Sequence, residues 1–356
     1  MIRNNKYSFQ VWINGKFYAD LSDIAMNRQV KVIRNQSDEI TFDLNLDQFS
    51  QYCTAMKVKP AAVLATGVAE IRVYRLGNIV SAGQLMYWEA DLGDDNNRKI
   101  SCHAFGWFEL FKQRLTSNTY TNQTASFIAQ DLISSTQSLT NGNYGVTIGV
   151  TPSPDMTNLY DSITYDNKSI YDAIVEMSQE NSGFDFEITW DKKFNIYYPS
   201  IGSSRSDVIF TYPGNVMDIK ISSDASKLVN SLLARGKGFG GNQISTTVSD
   251  SASQTTYFLR QGTQDYSDVA DPTQLTNLAN GELAIYKQPL TLHSVVFDPS
   301  VSGNPSVGAL HIGDQIQVVV SQLLLYSDVN TFFKIDEIDL AIGDEGDEQV
   351  TLMLNQ

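Results

Sequence analysis

Residues 70–115 read EIRVYRLGNIVSAGQLMYWEADLGDDNNRKISCHAFGWFELFKQRL, and this stretch decides the fold. Apolar and polar residues alternate at its start, as in a half-buried strand, and Leu76-Gly77-Asn78 predicts the turn into a second strand. An acidic loop at 91–95 separates that strand from a third alternation at 100–104. The apolar residues of 107–115 then recur at helical spacing. The stretch therefore predicts a β-meander that is closed by a short apolar helix.

The composition is that of a globular protein with an acidic surface. The chain has 356 residues, of which 42% are hydrophobic and 18% charged, which is enough material for more than one hydrophobic core. Its formal net charge is −15 and it has no cluster of lysine or arginine, which argues against binding to nucleic-acid phosphates. We interpret the charge mainly as a source of solubility. A second interpretation is an acidic lining past which DNA moves without adhering.

Neither a zinc site nor a membrane anchor is indicated. Cys53 and Cys102 form no CxxC motif, so a zinc site has no ligand framework. We expect Cys102 to be a buried, inert thiol, and a Cys53–Cys102 disulfide stays open at this point. Residues 1–12 lack the apolar segment of a signal peptide, and no apolar run approaches the length of a transmembrane helix. We therefore expect synthesis in the cytoplasm and no membrane-spanning segment.

The pattern divides the chain into successive segments. Residues 1–115 form an all-β unit, in which Asn14-Gly15 predicts a hairpin because Asn-Gly supplies the positive φ angles of a type I′ turn. Residues 116–210 mix helix and strand. In that segment a helix is predicted around 125–133, and Ser169 is predicted to be the N-cap of a second helix.

The remaining chain is predicted to be a second β unit with an insertion. Residues 211–245 and 288–356 show strand-like alternation. Between them, 246–287 contains a helix that Asp271-Pro272 opens, since proline is tolerated in the first turn. The polar run at 245–256 is predicted to be a surface loop.

No catalytic, cofactor-binding or metal-binding residue is assigned from the sequence, and no cofactor is expected. His103, His293 and His311 have no histidine four residues away, which excludes the HExxH pattern, and no G-x-S-x-G elbow is present. A triad assembled from distant residues is left open. The run GKGFGG at 236–241 is followed by β-prone residues, whereas a phosphate-binding loop leads directly into a helix. We interpret that run as a sharp turn or as close backbone packing.

Acidic loops and aromatic residues leave alternatives open. The loops 91–95 and 344–348 do not match the calcium-binding pattern, so we expect solvated hairpin tips, with a weak calcium site as the alternative. The aromatic residues between Tyr87 and Phe111 are expected to lie mainly in the core, with a sugar-stacking platform as the alternative. Abundant carboxylates also leave room for a glycan hydrolase, which needs two carboxyl groups about 5 to 9 Å apart.

In the order and length of its elements, the chain resembles the phage tail baseplate hub family. That family comprises hubs of contractile tails and the N-terminal hub domain of tail-associated proteins of long non-contractile tails. The segments that carry the resemblance are IRVYRLGNIVSAGQL (71–85), ISCHAFGWFELFKQRL (100–115), TASFIAQDLI (124–133), NKSIYDAIVEMSQENSGFDFEITWDKKFNIYYP (167–199), VMDIKISSDASKLVNSLLARGKG (216–238), HIGDQIQVVV (311–320) and EQVTLMLNQ (348–356).

The resemblance implies a β-rich α+β multidomain protein, with two similar β-barrel domains flanking and interrupted by α+β insertions. The first hub β-barrel is expected at 1–115, followed by an α+β insert domain at 116–210. The second hub β-barrel is expected to comprise 211–245 and 288–356. A helix-containing insertion at 246–287 interrupts that second barrel.

The resemblance also implies a structural role without catalysis. The expected protein is the baseplate or tail-tip hub of a phage or phage-tail-like particle, a homotrimeric ring that joins the sixfold tail tube to the threefold spike or fibre and surrounds the DNA channel. Expected partners are the tail tube or distal tail protein, the central spike, fibre or tail-tip protein, the tape-measure protein, and DNA that passes without specific binding. The expected location is the virion tail tip, after synthesis in the bacterial host cytoplasm.

Cell-wall entry supplies the alternative function. Because the sequence stops at Gln356, directly after the last expected barrel strand, peptidoglycan cleavage is expected to come from another protein. The alternative is that this chain is itself a glycan-binding or glycan-hydrolysing tail protein that acts in cell-wall entry.

Overall fold

The computed structural model describes residues 6–93, 98–267, 269–321 and 329–355, with the backbone only for 290–292. The first part of the chain consists of strands and two short helices. The elements are β1 (Tyr7–Ile13), β2 (Lys16–Asp20), β3 (Ala25–Ile33), β4 (Glu39–Asn45), α1 (Leu46–Met56), α2 (Pro60–Val63), β5 (Ala69–Arg75), β6 (Asn78–Asp91) and β7 (Lys99–Phe105). Asn14 and Gly15 have φ angles of 51° and 72°, which confirms the predicted hairpin. Strands β5 to β7 confirm the meander.

The insert that follows alternates short strands with two helices. Its elements are a 3₁₀-helix (Trp107–Gln113), β8 (Leu115–Thr116), β9 (Thr119–Thr124), α3 (Ala125–Gln137), β10 (Thr147–Ile148), β11 (Leu159–Thr164), β12 (Lys168–Ser169), α4 (Ile170–Gln179), β13 (Asp185–Ile188) and β14 (Lys193–Tyr197). The Ser169 hydroxyl accepts from the Asp172 backbone N–H at 3.3 Å, which confirms the predicted N-cap. The predicted helix at 107–115 is instead a 3₁₀-helix that leaves Leu115 exposed. With three residues per turn, Phe108 and Phe111 share one face and both reach the core.

The last part of the chain returns to strands around a small helical insertion. Its elements are β15 (Ser204–Tyr212), β16 (Asp218–Asp224), β17 (Ser231–Arg235), a 3₁₀-turn (Gly240–Asn242), β18 (Ser245–Ser249), α5 (Ser251–Tyr257), β19 (Gln261–Asp265), α6 (Pro272–Tyr286), β20 (Leu290–Phe297), β21 (Gln315–Val320), β22 (Val329–Ile342) and β23 (Glu348–Asn355). Asp271 caps α6 by accepting from the Gln274 N–H at 2.7 Å, as predicted. The prediction of a surface loop at 245–256 is wrong, because β18 and α5 occupy this segment. Asp250 caps α5 there by accepting from the Ser253 N–H at 2.8 Å, so polar residues serve an exposed strand and a capped helix.

Strands from both ends of the chain form one sheet of 13 strands. Its main path runs β16-β20-β23-β22-β3-β4-β7-β6-β5-β1-β2, and β21 pairs with both β22 and β15. The two ends join where β22 residues 337–342 pair antiparallel with β3 residues 33–28. Buried apolar residues lie opposite one another across this join and form a row on the inner face: Leu85, Ala104, Ile40, Val30, Leu340, Val350 and Phe297.

The sheet consists of two halves with the same topology. The first half is β3-β4-β7-β6-β5 and the second half is β16-β20-β23-β22-β21, with every neighbouring pair antiparallel. Along the chain the strands follow one another in the same sequence in both halves. The second half differs in carrying the small helical insertion between β16 and β20.

The two halves also match in fine detail at their longest strands. Strands β6 and β22 each have 14 residues, and each shifts register near its middle, after Leu85 and after Ile335. The backbone N–H of Gly67 donates to the Leu85 carbonyl at 2.8 Å, and that of Gly313 donates to the Ile335 carbonyl at 2.7 Å. Both glycines have positive φ, which favours glycine at these turns. The chain is therefore a β-rich α+β protein whose two ends are topologically alike.

Three hydrophobic clusters hold these elements together. Residues from both sheet halves share one cluster, which includes Phe42 and Phe333. The insert has its own cluster around Phe108 and Phe186, and the small sheet β18-β17-β19 packs on α6 through residues such as Leu275. Among the described residues, no helix is both long and apolar enough to cross a membrane.

Two predictions about domains remain predictions. The described strands leave the main path of the sheet open, with β2 and β16 at its ends, so closed barrels are not seen. The predicted limits at 115, 210, 245 and 287 also stay untested.

Candidate functional site

A cavity of about 690 Å³ lies where the two sheet halves meet the insert. One wall is the inner face of the sheet, with Val30, Leu340 and Val350 from strands on both sides of the join. The insert contributes Ile188 of β13, and the loop 306–312 covers another side. The cavity is thus lined by aliphatic side chains together with polar and aromatic ones, from distant parts of the chain.

Three carboxyl groups line this cavity, and two of them, Asp38 and Glu187, interact through their charges. Burial, and then the charge of Glu187, raise the pKa of Asp38 to about 7. The Ser81 hydroxyl is 3.4 Å from the Asp38 carboxylate and acts in the opposite direction on that pKa. Glu187 accepts hydrogen bonds from Asn195 at 3.0 Å and from the Tyr197 hydroxyl at 2.7 Å. Near neutral pH, Asp38 can therefore exchange a proton within the cavity.

Glu348 ties the last strand to the start of the chain. Its buried carboxylate accepts from Lys6 at 2.7 Å, from the Tyr7 hydroxyl at 2.6 Å and from Arg75 at 2.6 Å. Burial opposes ionisation, but these hydrogen bonds outweigh it and hold the pKa of Glu348 below its ordinary value. The prediction that 344–348 is a solvated hairpin tip is therefore wrong for Glu348. In the loop 91–95, residues 94 and 95 lie outside the described residues.

The three histidines lie in separate environments. His103 of β7 stacks on Tyr87 with ring centroids 4.2 Å apart. His293 of β20 is buried against Phe333, and burial lowers its pKa. His311 is exposed at the surface before β21. Within the described residues, no group of three or more His, Cys, Asp or Glu side chains is arranged to hold a metal ion.

The cysteines and the glycine run have structural environments. Cys53 and Cys102 are both buried and free, so the disulfide left open by the sequence is not formed. Burial, assisted by the charge of Asp43, raises the pKa of Cys102 to about 12, as expected of an inert thiol. Gly238 and Gly240 have positive φ and lead through a short 3₁₀-turn to β18, which confirms the sharp turn.

The aromatic residues predicted to lie mainly in the core differ in burial, and Phe105 is half-buried. Trp107, Phe108 and Phe111 are buried in the insert cluster, as predicted. Tyr87 and Trp88 are exposed, so the prediction is wrong for them. Both belong to the part of β6 beyond its register shift.

In the described part of the large sheet, the open edges of β6 and β16 are ones that no motif marked in the sequence. Among the described residues, the part of β6 beyond Leu85 pairs only with β7, and β16 pairs only with β20. Exposed apolar side chains lie along or beside these edges: Trp88, Leu92, Met217 and Ile221. The sequence did contain a signal of the likeness between the two halves. The segments EIRVY (70–74) and QIQVV (315–319) share the pattern Ile-x-Val and form the equivalent strands β5 and β21.

The outer face of the sheet is polar across the join. Residues paired across successive strands form one row of Tyr87, His103, Thr41, Gln29, Ala341 and Gln349. A neighbouring row contains Glu39, Lys31 and Asp339. The Gln29 amide donates to the Asp339 carboxylate at 2.8 Å, and Lys31 is 3.3 Å from Glu337. Acidic groups therefore recur on a face that continues from one half to the other.

Comparison with known proteins gives a likeness of fold. No protein-family model and no curated protein sequence matches the chain. The 43 kDa tail protein of prophage MuSo2 from Shewanella oneidensis superposes with a TM-score of 0.66 at 13% identity, covering 98% of each chain. A tail protein from Neisseria meningitidis gives a TM-score of 0.64 at 12% identity, covering 98% of this chain and 96% of that one.

A secretion-system protein shows the same likeness more distantly. A type VI secretion system component from Escherichia coli, described as structurally similar to bacteriophage T4 tail proteins, gives a TM-score of 0.52 at 9% identity over 97% of this chain and 76% of its own. The chain therefore has the fold of phage tail proteins, and the resemblance seen in the sequence is confirmed at the level of fold.

Proposed function

We propose that this chain is a structural hub subunit of a phage tail or phage-tail-like particle, in which three copies form a ring. Each sheet half, with the elements packed on it, acts as one barrel-like unit of that ring. The observation that carries the proposal is the shared topology of the halves, including the register shifts after Leu85 and Ile335. Three copies of two similar halves present six similar surfaces, which suits docking onto a sixfold tube.

The open edges of β6 and β16 support assembly. An unpaired strand edge is a template for pairing with another chain, and proteins that act alone usually cover such edges. Here β16 and the outer part of β6 lie at the two ends of the strand run β16-β20-β23-β22-β3-β4-β7-β6, and apolar side chains beside them are exposed. A ring in which neighbouring copies pair would satisfy both edges.

The polar outer face supports a channel for DNA. We assign the face that carries Glu39 and Asp339 to the channel wall, because it is polar and runs without interruption across the join. Charges act over about 8 Å at cellular salt, so acidic groups on the wall would discourage phosphate adhesion at short range. The net charge of −15 agrees with this role.

The proposed location and partners follow from this role. The likeness to tail proteins supports a place in the virion tail tip, between the tail tube or distal tail protein and the central spike, fibre or tail-tip protein. The tape-measure protein and the passing DNA would occupy the channel. No catalytic step is assigned to the chain.

Light scattering after size-exclusion chromatography, followed by negative-stain imaging, tests the proposal. We expect the mass of three chains and ring-shaped particles with a central hole. A protein that remains a monomer at every concentration, and that does not join tail-tube or spike proteins when mixed with them, would contradict it.

The cavity favours one second candidate, glycan hydrolysis during cell-wall entry. Asp38, with a pKa near 7, has the protonation behaviour of a general acid, and Glu187 is a neighbouring carboxylate. Trp190 and Tyr197 also line the cavity, and sugars usually stack on aromatic rings. Digestion of peptidoglycan by the purified protein, lost in Asp38→Asn, would favour hydrolysis over the hub.

A further inference from the structure

We propose that the cavity between the sheet and the insert binds an organic ammonium ion, with the positive charge at Asp38 and Glu187 and an aliphatic chain along the inner face of the sheet. The inference goes beyond the proposed function, since a ring-forming hub needs no small ligand. It assigns a ligand class to a cavity that three distant parts of the chain form together.

The cavity has the size of a site for a small organic molecule. Its volume of about 690 Å³ lies within the usual range of such sites, about 300–1,000 Å³. Val30, Leu340 and Val350 in its wall are 1%, 3% and 4% exposed. Gln36 and Trp190, which also line it, are exposed to solvent. The lining therefore passes from exposed polar and aromatic residues to buried aliphatic ones.

Asp38 and Glu187 have no cationic partner in the cavity. The Asp38 carboxylate has one side-chain hydrogen bond, from the Ser81 hydroxyl at 3.4 Å. Asn195 and Tyr197 both donate to Oε1 of Glu187, and no described residue donates to its Oε2. The two carboxyl groups repel each other when both are ionised, because the charge of Glu187 favours the protonated form of Asp38. A bound cation would remove that repulsion.

The other charged groups of the cavity already have partners. Arg75 donates to Glu348 at 2.6 Å. The Asp314 carboxylate accepts from the backbone N–H groups of Ser203 at 2.9 Å and of His311 at 3.0 Å. The Nδ1 atom of His311 also lies 3.9 Å from that carboxylate. The charges left without a partner are therefore negative, which favours a cationic ligand.

The walls of the cavity suit an organic cation. Trp190 and Tyr197 line it, and the faces of aromatic rings attract ammonium groups. Against the aliphatic wall, each methylene group removed from water should tighten binding roughly fourfold. A hydrated metal ion would gain little from that wall, and the described part of the chain has no group of three or more metal ligands. An ammonium group on an aliphatic chain matches both features.

Calorimetric titration of the full chain with n-butylamine, n-hexylamine and n-octylamine tests the proposal. At pH 8 we expect binding that tightens roughly tenfold for every two methylene groups added. Hexan-1-ol has the chain of hexylamine without its charge and should bind at least tenfold more weakly. Equal affinity for the alcohol and the amine would contradict the role of the carboxylates. Absence of binding by all three amines at millimolar concentration would overturn the site.

Substitution of the carboxyl groups locates the charge. Asp38→Asn and Glu187→Gln should each weaken hexylamine binding at pH 8 by about tenfold, because each removes a charge-assisted contact. Asp43→Asn is the matched control, since Asp43 does not line the cavity, and it should bind like the original protein. Asparagine keeps the shape of Asp38, so a folded Asp38→Asn variant that binds with undiminished affinity would overturn the assignment even if Glu187→Gln failed to fold.

Proton release supplies a readout that packing alone would not change. Because a bound cation favours the ionised form of Asp38, binding at pH 6 should release up to one proton, and the affinity should fall as the pH decreases from 8 to 5. Calorimetry in two buffers of different ionisation enthalpy measures that release. Asp38→Asn should abolish it, whereas His311→Gln should keep it and controls for histidine titration in the same pH range. Unchanged proton release in Asp38→Asn would contradict the proposal.

The outcomes separate this proposal from the proposed function. Trimers by light scattering without amine binding would overturn the ammonium site and leave the hub standing. Amine binding by a chain that stays monomeric would support the site and contradict the ring.

Discussion

Replacing Asp38 by asparagine should stabilise the protein at alkaline pH and have little effect in acid. The ordinary pKa of aspartate is about 3.9, whereas burial and the charge of Glu187 raise the pKa of Asp38 to about 7 in the folded state. A difference of roughly three pKa units corresponds to about 4 kcal/mol between the two protonation states. Asparagine has a similar shape and keeps an acceptor for the Ser81 hydroxyl.

The sign of the effect follows from proton linkage. Because the folded state holds the Asp38 proton more tightly than the unfolded state, this group lowers the stability as pH rises from about 4 to about 7. Above that range the whole cost is present, and the Asp38→Asn variant avoids it. As the pH rises from 4 to 8, the free energy of unfolding of the variant should therefore increase by about 3–4 kcal/mol relative to that of the original protein.

Urea unfolding at a series of pH values measures this difference. Asp43→Asn is a control of opposite sign, since hydrogen bonds from Ser101, Asn27 and Lys99 outweigh burial and lower the pKa of Asp43. That variant should be less stable than the original protein above about pH 4 and should show no gain at pH 8. Glu187→Gln removes a charge that raises the pKa of Asp38, so in that background the stability gained by Asp38→Asn at pH 8 should be smaller. A constant difference between the Asp38→Asn variant and the original protein from pH 4 to pH 8 would refute the reasoning.

Two further changes test the packing of the fold. Glu348→Ala leaves Lys6 and Arg75 without their buried carboxylate, and we expect a loss of about 3–5 kcal/mol in urea unfolding at pH 7. Because the pKa of Glu348 is lowered in the fold, its stabilisation should fade as pH falls below about 4, and an unchanged loss in acid would contradict this account. Ser169→Ala removes the cap of α4 and should lower the free energy of unfolding by about 1 kcal/mol. Ser178→Ala, in the last turn of that helix, is the control and should lower it by less. Equal losses in the two variants would argue against the cap.

Local chemistry explains which elements were predictable from the sequence. The hairpin at Asn14-Gly15, the N-cap at Ser169 and the start of α6 at Asp271 depend on side chains that act on backbone only a few residues away. Where two local structures suit the same residues, the sequence misled. The apolar spacing of 107–115 fits an α-helix and a 3₁₀-helix almost equally, and the polar run at 245–256 suits a loop, an exposed strand or a capped helix.

Long-range contacts explain what the sequence left hidden. Glu348 and Arg75 are 273 residues apart, and Asp38 meets Glu187 only because the insert folds back over the sheet. The alternation of 70–74 and of 315–319 marks each as a strand, but backbone hydrogen bonds between strands carry no mark of their partner's identity. Chain pattern alone therefore determined a β-rich protein with two strand-rich ends and an α+β insert. Only the tertiary structure decided that those ends share one sheet and one core, because the partner and register of each strand depend on how distant apolar faces pack together.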